Sequence, residues 1–416
     1  MSTITAPVSD APQPTGRSRE LWLITIGHAL THWYPATFYL LLPIIGNELG
    51  LSFSQIGLIM SCQFVASAVA NVPGGVLVDT VGRKGLLMAV SLFWVGFPYL
   101  LMGFAHSYLL LLACVTLVGI GNSLWHPTAI PTLARRFPER KGFVLSLHGM
   151  GGNAGDAIAP LVVGALLAVF TWREVVMMNV VPGLVMSALI LALLGTLQLT
   201  AGKKTAQTQE KGQSLAEYLK GLRELTRNRT LLLLSTSGAF RSMTQNSLLT
   251  FLPLYLAREL GYSAAVVGMT MFALQVAGLA ASPVAGHLSD RLGRRSVLMG
   301  TMAMTALVLV FMAFAGQSSA FVFFVAVLGF FLYAIRPVIQ AWTLEATPKK
   351  MGGSSIGILF GAQALGSSIA PLIGGLIADR FGLGSTFLFL AMTIVVANLF
   401  IFLVPPTPTA PAAAAQ

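Results

Sequence analysis

The sequence is short of charge. Lys, Arg, Asp and Glu make up only 9% of its 416 residues, against roughly 25% in an average soluble chain. A soluble fold of this length could not cover its surface with so few, which excludes an ordinary cytosolic enzyme and a disordered chain. Acid is scarcer than base: 14 Asp and Glu face 25 Lys and Arg, a formal net charge of +11. The positions of the basic residues, in short stretches between apolar runs, exclude the nucleic-acid binder that this excess invites. Cysteine is nearly absent. Cys62 and Cys114 both lie in apolar runs, so no disulfide framework or Cys-rich metal site is available. Each reads as a small buried hydrophobe.

Apolar residues are abundant: the set AVILMFWYC reaches 55%, and 42 glycines add to it. A polytopic helical membrane protein follows. Twelve runs are long enough to span a bilayer, at about 20 residues each. They cover residues 21–45, 55–78, 85–105, 108–134, 143–169, 175–197, 230–256, 264–288, 296–316, 320–344, 354–378 and 384–404. The first run is too long for a signal-peptide core and is expected to be retained. An even number of spans puts both termini on one side. With the termini inside, the inside segments hold 20 of the 25 Lys and Arg and the outside loops only Arg173, Arg258 and Arg380. The positive-inside rule therefore predicts cytoplasmic termini.

The expected organisation is a disordered cytoplasmic N-terminus (1–20), a six-helix bundle (21–197), a cytoplasmic linker (198–229), a second six-helix bundle (230–404) and a disordered tail (405–416). Within the linker, Ser214 and Glu217 read as a capping box. The Leu and Tyr spacing from Leu215 to Leu225 reads as an amphipathic helix, on the inner leaflet or solvated.

The two halves repeat each other. Gly75, Asp79, Gly82, Arg83 and Lys84 recur as Gly286, Asp290, Gly293, Arg294 and Arg295, an offset of 211. Gly50, Ser52 and Gly57 recur as Gly261, Ser263 and Gly268, and Gly155, Pro160 and Gly164 as Gly366, Pro371 and Gly375. His126-Pro127 maps onto Arg336-Pro337 with one residue of slip. Two parallel six-helix repeats are a transporter architecture with the substrate site between them near the midplane.

The loop G-x-L-x-D-x-x-G-R-K/R, present twice, resembles the signature of the major facilitator superfamily. The first copy has Thr80 where that family usually has a basic residue. Gly119 to Pro127 on the fourth span, with Arg140, Gly142, His148, Gly151, Gly152, Asn153 and Gly155 beyond it, are similar to the fosmidomycin-resistance efflux branch. The resemblance implies twelve helices in two repeats, alternating access, a cavity lined by spans 1, 4, 7 and 10, and an inner latch made by the two loops. Many drug–proton antiporters carry Arg where this chain has Val115, and a glycine where it has Ala159 before Pro160. Their proton relay does not carry over.

A charged side chain at the bilayer centre costs about 2.5–3.5 kcal/mol on insertion scales, so those that are there call for a role. Arg241 and Arg336 outnumber Asp156, and their planar donor forks suit carboxylate, phosphate or phosphonate. They are the candidate substrate residues, with His28, His32, His126, Gln245 and Tyr34 beside them. The structural alternative is that either arginine is a partner of Asp156 or of helix-end carbonyls. Asp156 is the only carboxylate deep in a span and the first candidate for proton coupling. Glu345, His148 and His32 follow, and a fixed salt bridge is the structural alternative. His148, Gly152 and Asp156 share one helix face. His28 and His32 have metal-ligand spacing, but no third ligand is identifiable, so no metal or other cofactor is expected. Trp33 and Phe38 are further pocket candidates.

The functional expectation is a secondary transporter of a bacterial cytoplasmic (inner) membrane, monomeric, with no nucleic-acid partner. It exports small anionic or zwitterionic compounds, antibiotics among them, as a proton antiporter. Uptake of an organic anion by proton symport uses the same residues. A non-transporting receptor or scaffold should have lost the deep charges or gate loops, and both are present. No nucleophile–base pair or P-loop points to an enzyme or to ATP as the driving force.

Overall fold

The computed structural model describes residues 15–195, 220–221, 223–315, 320–348 and 351–405. The apolar runs form helices: α1 (Thr15–Glu48), α2 (Phe53–Thr80), α3 (Lys84–Met102), α4a (Tyr108–Asn122), α4b (Trp125–Arg136), α5 (Lys141–Leu166), α6 (Trp172–Leu194), α7 (Arg229–Arg258), α8 (Ala264–Leu292), α9 (Arg294–Phe314), α10 (Ala320–Glu345), α11 (Gly352–Phe381) and α12 (Gly384–Phe402). Among the described residues, nine stretches are long and apolar enough to cross a membrane by length and composition alone. The helices that fall short, α1, α5 and α7, are those that carry His28, His32, His148, Asp156 and Arg241. Polar side chains dilute their hydropathy because one face of each turns inward.

The fourth span is not one helix. It breaks at Ser123 and Leu124. Pro127 supplies no N–H to the carbonyl four residues back, that of Ser123, and its ring crowds that carbonyl. Gly121 lies so close to α3 that a Cβ there would sit 2.9 Å from the backbone N of Val95. The break starts α4b with His126 in its first turn. The equivalent α10 keeps Pro337 inside an unbroken helix.

The repeat in the sequence is a repeat in the packing. In one half α1 packs on α5, α2 on α4a and α3 on α6; in the other α7 packs on α11, α8 on α10 and α9 on α12. The closest crossings use matched glycines. A Cβ on Gly155 would meet Ala29 O at 2.0 Å, and one on its mate Gly366 would meet Ala239 O at 2.3 Å. Gly119 stands over Gln63 O as Gly329 stands over Leu274 O. Small residues let helices touch backbone to backbone where burial of apolar surface gives no drive. Gly50 and Gly261 both take left-handed φ (61° and 66°), and Ser52 and Ser263 then cap α2 and α8. Gly293 also has a positive φ (88°), with an extended ψ of 145°, but its repeat mate Gly82 has no positive φ.

The halves meet along α2–α11 and α5–α8. A Cβ on Gly57 would lie 2.2 Å from Pro371 O, and the mate of this contact is Gly268 over Pro160 O, also 2.2 Å. Gly375 over Phe53 O and Gly164 over Ala264 O complete the set. All four glycines lie toward one end of the bundle, opposite the end that carries Lys84, Arg135, Arg136 and Arg294. Asp379 reinforces the closure. Its carboxylate accepts from the free backbone N–H groups of Phe53 (2.7 Å) and Ser54 (2.9 Å) at the start of α2, where the helix dipole favours an anion.

Residues 196–219, including Ser214 to Tyr218 of the expected amphipathic helix, lie outside the described residues. Leu225 is buried against Leu231 and Met351, so the described end of the linker packs on the second bundle.

Candidate functional site

A cavity of about 760 Å³ lies between the halves. Its walls come from α2 (Asn71), α4b (His126, Pro127, Ile130, Pro131), α7 (Arg241, Ser242, Gln245, Asn246), α10 (Arg336) and α11 (Phe360, Gln363, Ala364, Ser367). These residues sit at the middle of their helices or toward the basic end, so the cavity faces that end. No residue of α3, α6, α9 or α12 lines it. The expected set of spans 1, 4, 7 and 10 needs correcting. Among the described residues α1 gives none to the lining, whereas α2 and α11 do.

Among the described residues, two cations and no carboxylate line this cavity. Arg336 is exposed to it. Arg241 is 2% exposed and donates to Gln245 Oε1 one turn on. Its Nε is buried with no partner. Neither arginine pairs with Asp156, whose partner is His32: Nδ1 to Oδ2 is 2.9 Å. The structural pairing weighed from sequence is therefore not made. Asn246 donates to Ser367 Oγ (2.6 Å), the residue that stands in the second half where Asp156 stands in the first.

Beside the cavity, in the first half only, four histidines converge. His28 Nδ1 is 2.6 Å from the backbone O of His148, and His28 Nε2 is 3.0 Å from His126 Nε2. The rings of His28 and His148 stack at 3.9 Å. The shared face of His148, Gly152 and Asp156 thus turns toward α1. Gly152 has no Cβ because one would lie 2.7 Å from His28 Cε1 and 3.0 Å from His32 Nε2. His126 touches both the cluster and the cavity. A third histidine does join His28 and His32: single ring nitrogens of His28, His32 and His126 lie within 4.8 Å of one another. The missing third ligand was out of reach of sequence because it comes from another helix, placed by the break before α4b.

Other expected site residues lie elsewhere. Tyr34 is fully buried between α3 and α6, packed on Gly96, Gly183 and Tyr99. Phe38 is core, and Trp33 donates to Asn179 Oδ1. Glu345 is outside the cavity, at the basic end, where Arg294 binds it at 2.8 Å. Arg294 also pairs with Asp290 (2.6 Å) and bonds Ser289. Arg295 donates to Phe402 O, and Lys84 to Val78 O and Val81 O. Each of these partners belongs to the same half as its loop. Arg83 is exposed. Gly75 and Asp79 lie in the last turns of α2, and the side chain of Asp79 is outside what is described. Asn71, Ser242, Asn246, Gln363 and Ser367 are lining residues that sequence reading missed. They are uncharged, and uncharged polar residues carry no signal that separates a cavity wall from a helix contact.

The family model of the Major Facilitator Superfamily matches residues 21–255 and 234–416. The chain belongs to that superfamily. It is 26% identical over 416 residues to the fosmidomycin resistance protein of Escherichia coli (strain K12), covering 97% of this chain and 98% of that one. It is 25% identical over 416 residues to the phosphoglycerate transporter protein of Salmonella typhimurium, covering 93% and 88%. A bacterial homologue of the human lysosomal transporter Spinster, solved in an inward-facing and unoccupied conformation, shares the fold with a TM-score of 0.82 at 16% identity over 94% of this chain and 97% of that one. This protein is an integral membrane transporter, not an enzyme.

Proposed function

We propose that the protein exports small organic anions or zwitterions from a bacterial cytoplasm in exchange for protons. The observation that carries the anionic class is the cavity itself, walled by Arg241 and Arg336 with no acid among its described lining residues. In a low-dielectric site two such cations attract a carboxylate, phosphate or phosphonate and repel a cationic drug. Relatives named for fosmidomycin resistance and for phosphoglycerate transport bracket the same chemistry. The resistance name supports export. The sequence has no nucleotide-binding motif, which supports an ion gradient as the drive.

By the positive-inside rule the basic end is cytoplasmic, so this conformation is open inward. The two basic loops make their described contacts inside their own halves. In this reading they link the halves only when the inner end closes. Uptake of an organic anion by proton symport is the second reading: it uses the same residues, and the phosphoglycerate relative is named as a transporter without a direction.

The test uses proteoliposomes containing a pH-sensitive dye, an imposed proton gradient, and a panel of phosphonates, carboxylates and cationic dyes. Proton flux triggered by the anions and not by the cations, running opposite to the substrate, is the expected result. Flux in the same direction as the substrate establishes symport. Flux triggered equally by cationic dyes removes the anionic assignment.

A further inference from the structure

We propose that His28, His32 and His126 form a three-histidine site for a divalent transition-metal ion of the zinc class, with its fourth position open toward the central cavity. The ring nitrogens already converge to within 4.8 Å of one another. Ligands about 2.0–2.1 Å from a tetrahedral ion stand roughly 3.4 Å apart. The 3.0 Å between His28 Nε2 and His126 Nε2 lies just under that spacing, and a separation of 4.8 Å has to close by about 1.4 Å, which rotation of two imidazole side chains can share.

The surroundings fix the rings as metal ligands are fixed elsewhere. A ligating histidine usually donates its second N–H to a carboxylate or a backbone carbonyl, which sets the tautomer and aims the other nitrogen. His28 Nδ1 meets the carbonyl of His148 at 2.6 Å, and a carbonyl can only accept. His32 Nδ1 meets the carboxylate of Asp156 at 2.9 Å. Both rings therefore hold their proton on Nδ1 and present the Nε2 lone pair; without an ion His126 Nε2–H donates to His28 Nε2, and when the ion binds the His126 ring carries its proton on Nδ1 instead. Gly152 leaves the volume both rings occupy. His148 backs the site through its stack on His28, and neither of its ring nitrogens has a partner.

Three neutral imidazoles select among ions. They suit Zn²⁺, Ni²⁺, Cu²⁺ or Fe²⁺ and not Mg²⁺ or Ca²⁺, which take oxygen. Three protein ligands also leave one position for an exchangeable group. His126 lines the cavity that holds Arg241 and Arg336, so that position is reached from the cavity. An anion held by the arginines is within the same chamber as the ion. The second half has no counterpart, since Arg336 replaces His126 in the repeat. The ion therefore belongs to one half and moves with it. Metal binding stands apart from the transport reading and is measured without transport.

The experiment titrates the full-length protein, in detergent and free of any histidine tag, with Co²⁺ and with Zn²⁺. Four-coordinate cobalt gives intense visible bands that six-coordinate cobalt lacks. The expected result is saturation at one ion per chain with those bands, displacement by Zn²⁺, and a zinc X-ray absorption edge fitted by three nitrogens. His126→Gln should abolish the bands. Asp156→Asn should weaken binding about 10- to 100-fold while keeping the stoichiometry, the loss typical of an outer partner. His106→Gln, at the opposite end of the molecule, should change nothing. Absence of saturable binding overturns the proposal, as does binding that survives His126→Gln or is lost in His106→Gln. If His126→Gln fails to fold, Asp156→Asn decides, and unchanged affinity there overturns the proposal.

Discussion

At the scale of single residues, Arg241 and Arg336 differ in a way that predicts different mutants. Arg336 is exposed in the cavity, whereas Arg241 is almost fully buried and held by Gln245. A buried cation with an unpartnered Nε stays in the chain only if something else rewards it. A hydrogen bond to a charged group contributes about 1.5–3 kcal/mol, roughly 10- to 100-fold in affinity. Arg241→Ala should therefore raise the apparent Kd of a carboxylate or phosphonate by that factor and barely alter a neutral analogue. Arg241→Lys keeps the charge but not the fork, and should fall between. Competition binding to the purified protein checks this. Equal loss for charged and neutral ligands would make Arg241 a packing residue. Sequence alone found both arginines because charge inside an apolar run is conspicuous. It misplaced Tyr34, because an aromatic on a transmembrane helix looks the same whether it faces a cavity or, as here, a pair of glycines on α3 and α6.

At the scale of elements, the glycine crossings and the helix caps hold one end shut. The Asp379 carboxylate joins the halves by accepting two N–H groups of α2. Losing a helix cap costs about 0.5–2 kcal/mol. At about 1 kcal/mol, Asp379→Ala should raise the population with that end open roughly fivefold. The readout is alkylation of a cysteine placed at Leu372, which lies under Gly57 at the crossing, in a chain whose Cys62 and Cys114 are replaced by alanine. A membrane-impermeant reagent added from the Asp379 side should react about fivefold faster, and an unchanged rate removes Asp379 from the gate. The elements themselves were legible. All twelve runs are helical, and Gly50, Ser52, Gly57, Gly155, Pro160 and Gly164, with their mates at 211, are positions that turn, cap or cross, whereas Gly82 and Gly286 do none of these. The break before α4b was not legible. Pro127 marks a weak point, but the same dipeptide position in α10 keeps its helix. The difference lies in Gly121, which lets α4a settle on α3 and whose mate is Phe331.

At the scale of the molecule, the two halves are alike in packing and unlike in chemistry. The first carries the histidine cluster and Asp156; the second carries Arg241 and Arg336, with Ser367 in place of the acid. A site split this way is complete only while the halves face each other, so what binds between them biases how they rock. The contacts that close one end, α2 on α11 and α5 on α8, lie between halves, whereas the described ion pairs at the basic end lie within them. Rocking about the midplane must then open one end as it closes the other. Spin labels on Arg140 and Arg291 report the basic end, and labels on Phe104 and Phe381 the opposite end; all four residues are exposed. With a phosphonate bound and a proton gradient imposed, the Arg140–Arg291 distance distribution should shift shorter while the Phe104–Phe381 distribution shifts longer. Distances that shorten together describe a clamp rather than a rocker. A lengthening at the opposite end with no change at the basic end would mean that the glycine crossings open independently and that the halves are not rigid.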